Sequence, residues 1–214
     1  MHDFALEFSK VALAHLLAVM SPGPDFAIVL RQSLRHGRRT ATWTSLGVGA
    51  AITLHVAYSL LGLGVLLQRS TLAFSVLKYA GVAYLTWIGV RALCSEPRSC
   101  LIDDAALVAA PSTTPTARAA WLTGFLTNAL NPKATLFFVA LFVTVIDPAT
   151  PIFIKAGYGA WMVAATTGWF CFVSAVFTRK SVRAAFMRNG HWVDRGLGAV
   201  FIAFAVSLML TSLR

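Results

Sequence analysis

Apolar residues in this chain come in long unbroken stretches separated by short polar ones. Six stretches are long enough to cross a bilayer as helices: residues 4–30, 41–67, 70–93, 119–146, 152–178 and 196–213. A hydrocarbon core about 30 Å thick takes about 20 apolar residues at the helical rise. The second stretch holds no Asp, Glu, Lys or Arg from Ala41 to Leu67, and the third holds only Lys78 before Arg91 near its end. All exceed the roughly 9–11 residues of a barrel strand, and none alternates with its period of two. Backbone polar groups in lipid must be satisfied within the protein, so the pattern predicts helices.

The longest polar interruption, residues 94–118, carries Asp103, Asp104, Pro111 and Pro115 among Ser and Thr. Three spans precede it and three follow. An odd number of spans per half inserts the second half upside down relative to the first, as in many secondary transporters. The predicted fold is an all-α membrane protein with six transmembrane helices arranged as two inverted three-helix repeats. It forms one integral membrane domain over residues 1–214, with repeat 1 at 1–93, a polar cytoplasmic linker at 94–118 and repeat 2 at 119–214.

Composition supports this reading and charge orients it. Hydrophobic residues make up 57% of the chain and charged residues 12%, against about 45–50% and about 25% in soluble domains. A net charge of +10 raises the question of nucleic acid, but a nucleic-acid reader clusters its bases on one solvated face. Here they fall between apolar runs. Twelve of the 18 basic residues, in the loops at 31–39, 91–118 and 179–195, share one side. The other side has five (Lys10, Arg69, Lys78, Lys155 and Arg214), and Lys133 stands in mid-span. Cytoplasmic loops collect Lys and Arg, so the basic side is predicted to be cytoplasmic and both termini outside. The stretches at 31–39 and 179–195 could also touch anionic head groups, although topology alone accounts for them. Val11–Met20 resembles a signal-peptide core, but Asp3 and Glu7 precede it with only Lys10 against them, so it reads as a retained first span. Cys94, Cys100 and Cys171 have no metal-ligand spacing and imply no disulfide framework. No metal or cofactor site is predicted.

Two spans carry interruptions. The first contains Ser21-Pro22-Gly23-Pro24-Asp25, and the fourth contains Asn128-Ala129-Leu130-Asn131-Pro132-Lys133. Proline removes a backbone donor and breaks the helical ladder, and irregular backbone at membrane depth is tolerated only when buried or lining a cavity. Paired breaks in corresponding spans of two inverted halves point to a substrate site. Lys133 sharpens this, because a charge at the bilayer centre costs about 2.5–3.5 kcal/mol on insertion scales. Asp25 either caps the helix that resumes after Pro24 or meets a substrate ammonium or a coupling proton. The candidate substrate-binding residues are Pro22, Gly23, Pro24, Asp25, Asn128, Asn131, Pro132 and Lys133. The candidate proton-coupling residues are Asp25 and His55. His55 lies mid-way along the uncharged second span and could relay protons; its simpler role is one hydrogen bond to a neighbouring carbonyl, and the same holds for His15. The glycine pairs 47/49, 62/64, 157/159 and 196/198 read as helix-packing positions, with Gly62 and Gly64 also placed to hinge a helix. Trp87, Trp121, Trp161, Trp169 and Trp192 fall mostly near span ends, as interfacial belts do.

These residues resemble the lysine exporter family, which includes the homoserine and threonine exporters. The likeness rests on Ser21-Pro22-Gly23-Pro24-Asp25 followed by Leu30–Arg39, on Gly124–Lys133, and on Leu77–Leu85 between them, and it covers nearly the whole chain. It implies export of amino acids and related small metabolites across a bacterial cell membrane, energised by the proton motive force. Two departures accompany it: many such proteins carry Asn at Asp25, and many carry an acid where this chain has Ile52. The expected partners are a small zwitterionic substrate and the lipid bilayer, with no nucleic acid and with homo-oligomers left open. The expected location is the bacterial inner membrane. No Gly-x-Ser-x-Gly, His-Glu-x-x-His or phosphate-cradling loop occurs. The rival readings are a membrane-embedded enzyme or subunit acting on a lipid-soluble substrate, and a non-transporting anchor.

Overall fold

The computed structural model describes residues 3–21, 23–69, 71–96, 113–177 and 179–210. Pro22, Cys100 and most of the linker at 94–118 lie outside them, as do the surroundings of Gly62 and Gly64 and the side chain of Lys78. The described residues form eight helices: α1 (Phe4–Met20), α2 (Pro24–His36), α3 (Arg38–Arg69), α4 (Thr71–Leu93), α5 (Ala117–Ala129), α6 (Pro132–Thr144), α7 (Ile152–Val176) and α8 (Lys180–Leu210). Two of them, α3 over Arg38–Leu61 and α7, are long and apolar enough to cross a bilayer. The bent pairs α1–α2 and α5–α6 also qualify when each pair counts as one span. The protein is therefore an all-helical membrane protein with up to four crossings of this kind among the described residues.

Local chemistry accounts for the helix starts. The Asp3 carboxylate accepts from Ala5 N and Leu6 N at 3.1 and 3.0 Å, and the Thr116 hydroxyl accepts from Ala119 N at 3.2 Å; both satisfy orphan first-turn donors. Pro24 and Pro132 occupy the first position of α2 and α6. Proline fits there because the missing N–H has no intrahelical partner to lose. The two prolines thus do more than end α1 and α5: each starts a new helix, turned by 52° at the first break and 56° at the second.

Two expected boundaries move. The first run continues past residue 30 to His36, on an α2 that buries Phe26, Val29 and Leu30 but carries Arg31 and Arg35. The fourth breaks at Asn131-Pro132 into α5 and α6, as expected. The last helix begins at Lys180, so residues 180–195, expected as a loop, are helical. Their charge masked this, since a hydropathy window responds to lipid exposure and a helix extending beyond the bilayer needs none.

Packing follows a reciprocal pattern. Helix α3 lies against both α5 and α6, while α7 lies against both α1 and α2; α3 also packs on α7, and α4 on α8. Each unbroken helix thus braces the broken pair of the other half. Ser33 on α2 donates to the Ser174 carbonyl on α7 at 2.9 Å, and the Tyr158 hydroxyl on α7 donates to the Phe4 carbonyl on α1 at 3.1 Å. One apolar cluster gathers Val11, Ile52, Leu85, Phe138, Met162 and Phe201 from six helices, and a second gathers Phe26, Val48 and Phe170 with their neighbours.

Glycine brings α3 and α5 into backbone contact. A Cβ added at Gly47 would overlap the Trp121 carbonyl, and one at Gly124 would overlap the Thr44 carbonyl. Gly49, Gly159 and Gly198 likewise face Thr167, Val56 and the Gly89 carbonyl, whereas Gly157 and Gly196 have nothing within 4 Å. The packing role therefore holds for Gly47, Gly49, Gly159 and Gly198 and fails for Gly157 and Gly196. Gly47→Ala is expected to lower thermal stability in detergent by about 1–3 kcal/mol through overpacking. Gly157→Ala, measured alongside, should be neutral or stabilising by up to about 1 kcal/mol from helix propensity.

Candidate functional site

The two breaks meet. The Asp25 carboxylate, in the first turn of α2, accepts through Oδ2 from Asn128 Nδ2 and from Asn131 Nδ2, both at 3.0 Å. One oxygen thus holds the last turn of α5 and the first residue before α6. Asn131 closes the arrangement by accepting from Lys133 N through its own Oδ1 at 3.0 Å, as the N-cap of α6. The N-cap of α2 is Gly23, with no side-chain cap bond. Asp25 therefore does not cap α2: it lies inside the helix, and its bonds cross to the other half of the chain. Its second oxygen, Oδ1, is buried with no hydrogen-bond partner among the described residues.

Lys133 follows directly from Asn131-Pro132. Its ammonium donates to Ser21 Oγ at 2.8 Å, so the base on the second break reaches the residue that ends α1. A Cβ at Gly23 would stand 3.6 Å from Nζ; glycine here leaves the space beside the ammonium open. Its backbone is extended, with φ −164°, so the requirement is for room and not for conformational freedom. Lys133 and His55 also lie within electrostatic reach of the Asp25 carboxylate.

His55 stands behind this layer. It is 1% exposed, and its Nε2 meets both the carbonyl and the Oδ1 of Asn128 at 3.1 Å. A carbonyl only accepts, so Nε2 carries hydrogen. Nδ1 faces the Tyr58 hydroxyl at 2.7 Å, and that hydroxyl also reaches the Thr135 carbonyl at 3.3 Å. The ring stacks on Phe138, 5.3 Å between centroids at 11°. The simpler role expected for His55, one bond to a carbonyl, understates its position: it braces the residue that holds Asp25.

A cavity fills the space between the breaks. Its polar lining comes from Ser21, Asp25, Asn128, Asn131 and Lys133 with His15, Tyr84 and Thr166, and Phe137, Phe138 and Ile52 are among its apolar walls. Its volume is about 50 Å³, several times what one water needs. Ser21, Gly23, Asn131 and Lys133 also line a wider cavity that continues past Trp87, Arg91, Ser95 and Asp194. At the far end of that vestibule, Ser95 donates to Asp194 at 3.0 Å and Arg195 donates to the Ser95 carbonyl at 3.1 Å.

Of the residues expected at the site, Gly23, Asp25, Asn128, Asn131 and Lys133 line the central cavity and Pro24 and Pro132 line the vestibule. Pro22 lies outside the described residues, and His55 is not among the lining residues. Ser21, His15, Tyr84 and Thr166 were not expected there. Ser21 belongs to the first motif and Tyr84 to the Leu77–Leu85 pattern, so both could have been read from sequence; Thr166 has no signal there, because only the packing of α7 brings it in. Trp161, expected near a span end, instead lies 5.9 Å from the His15 ring.

A family model described as LysE type translocator matches residues 16–212. The chain belongs to the LysE type translocator family. Every residue lining the central cavity except His15 lies within the matched region. Among other members, the threonine efflux protein of Escherichia coli (strain K12) is 29% identical over 205 residues, 95% of this chain and 98% of that protein. The threonine efflux protein of Salmonella typhi is 28% identical over 204 residues, with the same shares covered. The homoserine/homoserine lactone efflux protein of Salmonella typhimurium is 32% identical over 139 residues, 65% of this chain and 64% of that protein. No solved structure matches this LysE type translocator.

Asn131 joins both breaks, so its replacements separate two effects. Asn131→Ser keeps a capping oxygen and loses the donor to Asp25; Asn131→Asp keeps the cap but sets a second carboxylate against the first. Thermal unfolding in detergent is expected to show Asn131→Ser destabilised by about 1–2 kcal/mol and Asn131→Asp by clearly more at neutral pH, with the gap closing as acid protonates the pair.

Proposed function

We propose that this translocator exports zwitterionic α-amino acids with uncharged side chains from the cytoplasm, by alternating access and at the expense of the proton gradient. One observation carries the reading: among the described residues, the cavity between the two breaks is lined by a single carboxylate, Asp25, and a single ammonium, Lys133. Opposite charges at opposite elements match the two ends of a zwitterion. Lys133, with the N-terminal ends of α2 and α6, suits the α-carboxylate, and the unpaired Asp25 Oδ1 suits the α-ammonium. The wall at Ile52 is apolar and 2% exposed, so the site offers no second carboxylate for a cationic side chain. Relatives named as threonine and homoserine efflux proteins support an amino-acid substrate.

The direction of transport rests on which end is open. In the six-span reading, with α4 and α8 as the third and sixth spans, the vestibule opens beside Arg91 and Ser95 at the C-terminal end of α4. That is the basic side, which the positive-inside rule assigns to the cytoplasm of the bacterial inner membrane. At the other end, Glu7 on α1 accepts from the Thr150 hydroxyl at 2.9 and 3.1 Å, before the start of α7. An inward-open, outward-sealed form is the one that loads substrate for export. The reciprocal bracing of α3 and α7 supports two inverted repeats that rock against each other around the fixed breaks.

His55 is the proton-coupling candidate with a physical route. Neutral, it donates from Nε2 and accepts the Tyr58 hydroxyl hydrogen at Nδ1. Protonated, it donates from both nitrogens, and Tyr58 turns its hydrogen to the Thr135 carbonyl. Either state satisfies every partner, and the added charge reaches Asp25 through Asn128. Asp25 is the second candidate, because a proton on its carboxyl would release the ammonium.

Efflux of radiolabelled threonine from loaded right-side-out vesicles tests the proposal. Lys133→Met is expected to reduce export at least about tenfold with membrane insertion intact, the loss of a charged hydrogen bond of about 1.5–3 kcal/mol; wild-type rates would refute the role of Lys133. A protonophore should stop uphill export by the wild type. His55→Gln is expected to leave downhill exchange measurable while abolishing its response to an imposed pH gradient.

A further inference from the structure

His15 is fully buried on α1, at 0% exposure, and lines the central cavity. Its Nε2 meets the Met162 carbonyl at 3.2 Å and the Thr166 hydroxyl at 2.9 Å. The carbonyl cannot donate, so Nε2 carries the hydrogen and, in the neutral ring, Nδ1 presents a lone pair. That Nδ1 is buried with no hydrogen-bond partner among the described residues. Phe137, Phe138 and Trp161 surround the ring at centroid distances of 6.2, 5.8 and 5.9 Å. An apolar ring would fill the same cage without leaving an acceptor unmet, and an unmet buried acceptor is costly. The orientation is also fixed, because two partners on α7 hold the Nε2 edge.

Resting on the efflux reading above, we propose that His15 is the specificity-determining residue that reads a hydroxyl on the substrate's side chain. With the two ends of the zwitterion taken by Lys133 and Asp25, a hydroxyl is the compact, strong donor that a small uncharged side chain can offer, a thiol being a weak one and a carboxamide bulkier. The acceptor waiting for it is Nδ1, in an aromatic pocket that excludes competing water. The substrates selected are hydroxylated aliphatic α-amino acids, and their isosteres with a methyl in place of the hydroxyl are rejected because Nδ1 would stay unpaired.

Threonine and valine differ by that exchange. In proteoliposomes of the full-length protein, the wild type is expected to export threonine about tenfold faster than valine at equal concentration, the worth of one buried hydrogen bond. His15→Phe should bring the two within about threefold by slowing threonine more than valine. His15→Asn, which offers an amide donor and a carbonyl acceptor, should restore part of the preference. A wild-type preference that survives in His15→Phe overturns the inference and leaves efflux standing, as does a wild type that exports both equally. A wild type that exports neither defeats the efflux reading, and this inference with it. If His15→Phe does not insert, nitrogen-15 spectra of the histidine-labelled wild type decide. Threonine should move a non-protonated Nδ1 resonance that valine leaves in place, and identical responses to the two overturn the proposal.

Discussion

One carboxylate oxygen holds this protein's centre together. Asp25 Oδ2 accepts from both Asn128 and Asn131 at 3.0 Å, and those residues flank the interruption between α5 and α6. Interrupted helices leave carbonyls and amides without partners at a depth where water cannot supply them. Here the first break provides the acceptor that orders the second. The second returns a base to the first, since Lys133 donates to Ser21 at 2.8 Å. Neither break is complete alone, so each half of the chain orders the break of the other.

Much of the surrounding structure serves that point. The α3–α5 contact, backbone on backbone at Gly47 and Gly124, brings His55 against Asn128; a wider interface would put the imidazole out of reach of the Asn128 carbonyl at 3.1 Å. Phe138, stacked on His55 and within the aromatic set around His15, lets one side chain support both histidines. The polar network lies between two apolar clusters that each lend walls to the cavity. The surroundings exclude water from the network's back while leaving its front open to the vestibule, and electrostatic interactions gain strength in such a low-dielectric setting.

What could be read in advance divides along a physical line. The breaks and the meeting of the two motifs were legible because proline and charge are penalised locally and so leave a mark in one-dimensional sequence. The helical state of residues 180–195 was not, because hydropathy reports lipid contact and that segment is charged. The hydrogen bonds of His15 were illegible for another reason. Met162 and Thr166 lie 147 and 151 residues away, on the helix of the opposite half, and nothing at residue 15 announces them. Asp25 shows the limit of local rules: aspartate beside a helix start usually caps it, and here the cap position falls to Gly23 while the carboxylate serves the other half.

The choice of Asp at residue 25 and Ile at residue 52 has a joint consequence. An anion bridging two amides could be replaced by a neutral acceptor and still order the break, so bridging alone does not require a charge. A charge is required if the cavity must balance the Lys133 ammonium while no ligand is bound, because an isolated buried cation would be expelled or neutralised. A second acid on the wall at Ile52 would overshoot that balance and leave the empty cavity anionic. With one acid and one base, the empty cavity is neutral, and a zwitterion entering it leaves it neutral again. On the proposed efflux reading, such a site binds and releases a zwitterion without a net change of charge, and any charge that crosses in the proposed cycle is that of a coupling ion.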